Sequence, residues 1–195
     1  MQSEIEIRLL ECNEDDIIRK LEICGAEFVG DWVQKRYCYD FDPVKENSWI
    51  RLRTNGKETT LTIKEIQSAE IDGTKELEIV VSDFETTNEI LRKLGYQVRS
   101  VQENRRIRYM FDGVEVDIDM WPMIPSYVEF EGKSEESIKD VCKKLGVDFS
   151  KLTTMDVMSI YKHYGFGSKA LESLKLEEER KIKKFNSSVG FTENF

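Results

Sequence analysis

The sequence has few cysteines, a single histidine and no long apolar run, and the missing features exclude several classes of protein. Its four cysteines, Cys12, Cys24, Cys38 and Cys142, are widely separated and form no Cys-x-x-Cys pair, which favours reduced thiols over disulfides or a zinc site. No apolar run approaches the roughly 20 residues of a membrane-spanning helix, and the N-terminus lacks the basic and then apolar profile of a signal peptide. We therefore expect a cytoplasmic protein that has no membrane partner.

The chain also lacks a Gly-rich phosphate-binding loop, and it lacks an excess of basic residues. A formal net charge of −9 argues against non-specific binding to nucleic acid, although a local basic site is still compatible with it. With 195 residues, of which 39% are hydrophobic, the chain is long enough for one domain that has a real core.

The sequence is rich in charged residues that alternate with apolar ones. Seven pairs of residues two positions apart, nearly all charged, recur along the chain: Glu4/Glu6, Arg51/Arg53, Thr62/Lys64, Glu76/Glu78, Arg106/Arg108, Asp117/Asp119 and Glu129/Glu131. The residues between them are apolar, for example Ile5, Leu52 and Ile118. Because side chains alternate faces along a strand, each segment is predicted to be a strand with one charged and one apolar face.

The same pattern predicts the order of the elements. We expect strands near residues 3–11, 28–41, 48–54, 59–66, 74–82, 98–112, 114–120 and 126–132. Hairpin dipeptides separate several of them: Asn55-Gly56, Asp72-Gly73 and Asp112-Gly113. Amphipathic helices are expected over 13–25, 83–95 and 134–146, because each range has a capping residue, apolar spacing of 3.6 and a terminal Gly.

These elements predict an α+β fold. Eight strands joined largely by hairpins make an antiparallel sheet long enough to close into a barrel. If the charged faces point inward, the apolar faces point outward and the helices cover them. Beyond residue 165 the composition shifts, and we expect a C-terminal helix over 169–185 and then a tail over 186–195.

The order of the charged pairs resembles the CYTH domain superfamily, the triphosphate tunnel metalloenzymes. Its hallmark Glu-x-Glu-x-Lys stands here as Glu4-Ile5-Glu6-Ile7-Arg8, with Arg in place of Lys. Further motifs follow in family order: Trp49-Ile50-Arg51-Leu52-Arg53, Leu61-Thr62-Ile63-Lys64, Glu76-Leu77-Glu78, Arg106-Ile107-Arg108 and Tyr127-Val128-Glu129-Phe130-Glu131. In a second departure, Arg36 stands near the position where many members carry an Asp. The resemblance implies that residues 1–165 form a triphosphate tunnel domain and that 166–195 are an appendage.

The resemblance also implies roles for the charged residues. Phosphate would be bound by the basic set Arg8, Arg51, Arg53, Lys64, Arg106 and Arg108, since guanidinium and ammonium groups neutralise phosphate. Mg²⁺ or Mn²⁺ would be held by the carboxylates Glu4, Glu6, Asp119, Glu129 and Glu131, with Asp117 a weaker candidate, because hard cations take oxygen ligands. The catalytic group would comprise Glu76, Glu78 and Arg8.

Three functions remain open at this point. The first is metal-dependent hydrolysis of inorganic triphosphate or a nucleoside triphosphate. The second is a class IV-type adenylyl cyclase, which converts ATP to cyclic AMP and pyrophosphate. The third is a non-catalytic module that binds polyphosphate. The expected partner is a small triphosphate-containing molecule such as inorganic triphosphate or ATP, and a homodimer is left open.

Overall fold

The computed structural model describes residues 1–176. Its strands are β1 (Gln2–Glu4), β2 (Glu6–Leu9), β3 (Glu27–Tyr39), β4 (Ser48–Thr54), β5 (Thr59–Ile66), β6 (Thr74–Val81), β7 (Val98–Phe111), β8 (Val114–Met120), β9 (Tyr127–Glu131) and β10 (Ser173–Leu174). Its helices are α1 (Glu14–Ile23), α2 (Phe84–Lys93), α3 (Glu135–Lys144) and α4 (Val157–His163). Each of the eight predicted strands is present, with boundaries that differ by no more than about two residues.

The strands form a nearly closed antiparallel barrel. Its order is β1-β6-β5-β4-β3-β7-β8-β9-β2, and β10 adds to β7 in parallel. The first predicted strand is divided at Ile5, so that β1 pairs with β6 while β2 pairs with β9. One continuous segment therefore joins the two ends of the sheet. The predicted fold class is confirmed, with nine barrel strands instead of eight because of this division.

The three predicted helices begin at the predicted caps. The side chains of Asn13, Asp83 and Ser134 each accept a hydrogen bond from the backbone N–H three residues further on. Helix α4 was not predicted. It has seven residues, too few for a clear apolar period, although Asp156 caps it in the same way.

The apolar faces of the strands point outward and are covered by helices, as predicted. One cluster joins α1 and α3 to β2 and β7–β9, and it includes Ile17, Leu21, Ile107, Val116, Ile118, Phe130, Ile138 and Val141. A second cluster packs Phe84 and Leu91 of α2 on β4. The outer face of β6 is different, since Leu77 and Ile79 are more than half exposed.

The segment after α4 differs from the prediction. Residues Ser168–Leu171 form a 3₁₀ turn and Ser173–Leu174 form β10, where a helix was expected from residue 169. Pairing of β10 with β7 supplies the backbone hydrogen bonds that a helix would otherwise make. The rest of the predicted helix and the tail lie outside the described residues. Within residues 1–176 no helix is long and apolar enough to cross a membrane, and the four cysteines are free.

Candidate functional site in the barrel interior

The antiparallel register places the inward-facing charged side chains beside one another. Arg106 lies opposite Asp119, and Arg108 lies opposite Asp117, across β7 and β8. The next pair along, Asp117 and Glu129, joins β8 to β9. Arg106, Arg108 and Glu129 and their counterparts on the other strands line a cavity of about 480 Å³.

The charged side chains fall into two regions of opposite balance. The inward-facing charged side chains of β1, β2 and β7–β9 form one region, which we call the acidic half: Glu4, Glu6, Arg8, Arg106, Arg108, Glu115, Asp117, Asp119, Glu129 and Glu131. The inward-facing charged side chains of β3–β6 form the other region, which we call the cationic half: Arg36, Arg51, Arg53, Lys64, Glu76 and Glu78. Carboxylates outnumber cations in the first region, and cations outnumber carboxylates in the second.

Arg106 is the centre of the acidic half. Its guanidinium donates to Asp117 at 2.5 Å, to both oxygens of Asp119 at 2.9 and 2.5 Å, and to Glu129 at 3.1 Å. The Asn104 amide also donates to Asp119, at 2.8 Å. Both oxygens of Asp119 are therefore occupied by side chains of the barrel wall.

Arg8 extends this network to β2. It donates to Glu129 at 2.8 Å and to the carbonyl oxygen of Met155 at 3.0 Å, and it forms a salt bridge with Glu6 at 2.9 Å. Its backbone N–H also donates to the carbonyl oxygen of Thr153, and its carbonyl oxygen accepts from the N–H of Thr153. Arg8 is thus a buried link between the acidic half and the segment that leads into α4.

The electrostatics of this region follow from close pairing. Burial lowers the pKa of Arg8 and of Arg106, but the adjacent carboxylates outweigh it and raise both pKa values well above the usual range. Burial raises the pKa of Glu129, yet the charges of Arg8, Arg106 and Lys64 lower it strongly. These groups remain fully ionised and neutralise one another.

Glu131 has a different environment. Burial raises its pKa to about 8, and the negative charges of Glu129, Glu4, Glu115 and Glu6 add to the effect. Its strand neighbours are Glu6 on one side and Glu115 on the other. In the part of the chain that the structure describes, no basic side chain forms a salt bridge with Glu131. A carboxylate among carboxylates suits a divalent cation, which takes oxygen ligands and keeps several waters.

The predicted metal ligands are therefore divided by the structure. It brings Glu4, Glu6, Glu129 and Glu131 to one side of the cavity. Asp119 and Asp117 lie deeper, where they are ion-pair partners of Arg106 and Arg108. No group of three or more His, Cys, Asp or Glu within residues 1–176 is already arranged around a metal position. The donor set fits a metal that binds together with a ligand and keeps water, as Mg²⁺ does.

The cationic half contains three of the predicted phosphate-binding residues. Arg51 donates to Glu76 at 3.5 Å and to Glu78 at 3.3 Å, and Arg53 lies 3.8 Å from Glu78. Lys64 forms salt bridges with Glu4, at 3.0 Å, and with Glu76. Burial and the charge of Arg51 lower the pKa of Arg53 and of Lys64. Arg53 has a single carboxylate partner, at 3.8 Å, so its positive charge is incompletely compensated, which is the condition for binding an anion.

Glu76 and Glu78, the predicted catalytic carboxylates, both line the cavity. Glu78 accepts a hydrogen bond from Thr62 at 2.5 Å. Burial raises the pKa of Glu78, but this hydrogen bond and the charges of Arg53 and Arg51 outweigh it and lower the pKa below its ordinary value. Glu78 is thus held as an ionised acceptor beside the cations.

Sequence reasoning did not assign Arg36 to the site. It faces the cavity from β3 and lies opposite Arg53 across β3 and β4. The alternation of side chains along β3 could have identified it. Arg36 lies two residues after Gln34 and two before Cys38, on the inward face of the strand.

Comparison with known proteins identifies the family to which the chain is similar. A model of the CYTH domain matches residues 2–156. No curated protein matches the chain significantly. Among solved structures, the PH1012 protein from Pyrococcus horikoshii OT3 is 25% identical with a TM-score of 0.69, and the match covers 80% of this chain and 98% of that one.

Two more distant structures show the same fold. A proposed adenylate cyclase from Vibrio parahaemolyticus is 13% identical with a TM-score of 0.70, and the match covers 83% of this chain and 98% of that one. HpAC1 from Hippeastrum, a proposed adenylyl cyclase with a dominant triphosphatase activity, is 14% identical with a TM-score of 0.57. That match covers 86% of this chain and 98% of HpAC1.

Proposed function

Because the chain belongs to the CYTH domain family, we propose that it is a metal-dependent hydrolase that releases the terminal phosphate of a triphosphate. The observation that carries this proposal is the division of the barrel interior. Incompletely neutralised cations face a group of carboxylates across a cavity of about 480 Å³. A phosphate chain with a bound divalent cation has the complementary distribution of charge.

The cationic half would bind the phosphate chain. Arg51 and Arg53 present guanidinium groups that match phosphate oxygens in pairs, and Lys64 adds a compact charge. Arg106 and Arg108 were predicted for the same task. Their carboxylate partners at 2.5–2.9 Å favour a different role, in which they hold the acidic half together.

The acidic half would hold Mg²⁺ or Mn²⁺ through Glu4, Glu6, Glu129 and Glu131, which all line the cavity. A divalent ion there would neutralise phosphate charge that develops during the reaction. Arg8 fixes the positions of Glu6 and Glu129 through its two salt bridges at 2.9 and 2.6 Å. Its contribution to catalysis would thus be to position these carboxylates.

The reaction needs a positioned water and a stabilised leaving group. Glu78, ionised and held by Thr62, would orient the attacking water and take its proton, and Glu76 would lie beside it. The water oxygen forms a bond to the terminal phosphorus while the bond from that phosphorus to the bridging oxygen breaks, which releases diphosphate. Arg51 and Arg53 would balance the charge on the transferred group.

Hydrolysis demands less of the site than cyclisation, because any oriented water serves as the nucleophile while a cyclase must also fix a ribose hydroxyl. The cytoplasmic location stays a prediction, and the question of a homodimer stays open.

The test is a reaction panel of the full chain with Mg²⁺ and either inorganic triphosphate or ATP. Orthophosphate, diphosphate and cyclic AMP are measured separately. We expect orthophosphate without cyclic AMP, and a loss in kcat of roughly 100-fold or more for Glu78→Gln. Glu89→Gln is the matched control, since Glu89 is an exposed residue of α2 that pairs with Arg92 away from the cavity. Formation of cyclic AMP, or full activity in Glu78→Gln, would contradict the proposal.

A further inference from the structure

Arg36 is a buried cation without an anionic partner among the described residues. Its side chain is inside the barrel, with 6% of the residue exposed. One terminal nitrogen donates to Gln34 at 2.9 Å and to Asn104 at 2.5 Å, both of them neutral amide oxygens. The guanidinium lies 4.5 Å from the centre of the Trp121 ring. Its buried Nε has no hydrogen-bond partner among residues 1–176.

The other cations of the barrel interior are paired. Each forms at least one salt bridge with a carboxylate: Arg8, Arg51, Arg53, Lys64, Arg106 and Arg108. Arg36 forms none with residues 1–176. The charge on an arginine cannot be removed by deprotonation under ordinary conditions, and an unpaired charge in a buried site is costly. The position is therefore suited to an anion beyond those that residues 1–176 supply.

The surroundings of Arg36 increase this demand. Arg36 lies directly opposite Arg53, and Arg51 lies opposite Cys38, the next inward-facing residue of β3. Burial lowers the pKa of Arg36 to about 10, the positive charges of Arg51 and Arg106 add to this effect, and the negative charge of Asp119 offsets only part of it. An anion bound between these guanidinium groups would relieve the repulsion among them.

We propose that Arg36 is a phosphate-binding residue and that, with Arg51 and Arg53, it forms a subsite for the terminal phosphate at the end of a phosphate chain. This inference rests on the proposed function for the identity of the anion. A terminal phosphate carries three non-bridging oxygens and close to two charges, so it can engage several guanidinium groups at once. Asn104 and Gln34 orient Arg36 toward the cavity, and the Trp121 ring fixes its plane.

The subsite makes the enzyme selective for chain length. Lys64 lies at the opposite end of the cationic half, two inward positions along the strands from the level of Arg36. We expect a triphosphate to span from Lys64 to Arg36, whereas a diphosphate held at Lys64 and Arg51 does not engage Arg36 fully. Loss of Arg36 then weakens binding of the triphosphate more than binding of the diphosphate.

Arg36→Gln and Arg36→Lys test the proposal on the full chain. Binding of inorganic triphosphate and of inorganic diphosphate is measured by titration calorimetry with Mg²⁺ at low temperature, where turnover is slowed. We expect the Kd for triphosphate to rise roughly 10- to 100-fold in Arg36→Gln, since a charge-assisted contact is lost, and the Kd for diphosphate to rise about threefold or less. Arg36→Lys should recover part of the triphosphate affinity, because it keeps the charge.

Thermal unfolding without ligand separates a binding role from a structural one. Removal of an unpaired buried charge should leave the Tm unchanged or raise it, whereas removal of a structural arginine lowers it. Lys35→Gln is the matched control, since Lys35 is the neighbour of Arg36 on the outer face of β3 and pairs with Glu85. Unchanged triphosphate affinity in Arg36→Gln, or an equal loss for both ligands, would overturn the inference.

The two proposals can fail separately. If the wild-type protein hydrolyses no triphosphate but Arg36→Gln still loses affinity for it selectively, the subsite stands and the hydrolase fails. If the wild-type protein is active and Arg36→Gln binds triphosphate like the wild type, the hydrolase stands and the subsite is overturned.

Discussion

The cationic half and the acidic half of the barrel interior use the same residue types for different purposes. In the acidic half, Arg106 has three carboxylate partners within 3.1 Å. In the cationic half, Arg53 has one at 3.8 Å and Arg36 has none within the described residues. An arginine that is surrounded by carboxylates holds the wall together, while one without them is available to a ligand.

This difference follows from cross-strand neighbours. β7 places Arg106 and Arg108 next to Asp119 and Asp117 of β8, so the positive charge is neutralised within the protein. β3 places Arg36 next to Arg53 of β4, so the positive charge accumulates. The comparison predicts that substitutions in the two regions separate stability from activity.

The largest effect is expected for Arg106→Gln, which leaves Asp117, Asp119 and Glu129 buried without their shared cation. Removing one partner of a buried ion pair destabilises a protein by about 3–5 kcal/mol. Urea unfolding monitored by tryptophan fluorescence measures the change. A loss below about 1 kcal/mol would show that the acidic half is not held together by Arg106.

Arg53→Gln should have the opposite result, a small change in stability and a large loss of activity. It removes a cation whose nearest carboxylate lies 3.8 Å away, so the free energy of unfolding should change by about 1 kcal/mol or less. The value of kcat/KM for the triphosphate should fall roughly 100- to 1,000-fold, because charge on the transferred phosphate loses a donor. A destabilisation as large as that of Arg106→Gln, with little change in kcat/KM, would contradict the division into two regions.

A smaller effect is expected from the pH dependence of the metal-free protein. The pKa of Glu131 is raised from an ordinary 4.5 to about 8, so the folded state holds a proton that the unfolded state releases. Stability from this group is complete below pH 4.5 and is lost as the pH rises to about 8.

Chemical unfolding at about pH 5 and about pH 8.5, with and without Mg²⁺, measures this dependence. Mg²⁺ should restore stability at the higher pH more than at the lower one, because it competes with a proton only at the lower pH. Glu131→Gln should remove the part of the pH dependence that belongs to this carboxylate. A pH dependence equal to that of the wild type would assign the effect to another group.

Much of the fold could be predicted from the sequence, because alternation of period two fixes which residues share a face of a strand. This alternation alone places pairs such as Glu76 and Glu78, or Arg51 and Arg53, together on one face of a strand. The caps at Asn13, Asp83 and Ser134 could be used to predict where the helices begin, because a capping side chain bonds to a backbone N–H only three residues further on.

Other features depend on contacts that no local pattern records. The break at Ile5, which lets one segment pair with both β6 and β9, is set by closure of the barrel. Helix α4 is too short to show a period, and its residues Ile160 and Tyr161 are buried by a cluster that assembles only in the folded protein.

Residue order is sufficient to specify that each strand of this barrel has one charged and one apolar face, since both follow from the direction of successive side chains along a strand. Which of those charges are neutralised depends on the folded protein. Register between strands places Arg106 among carboxylates and Arg36 among arginines, and electrostatic energy depends on those few ångströms of separation rather than on residue type.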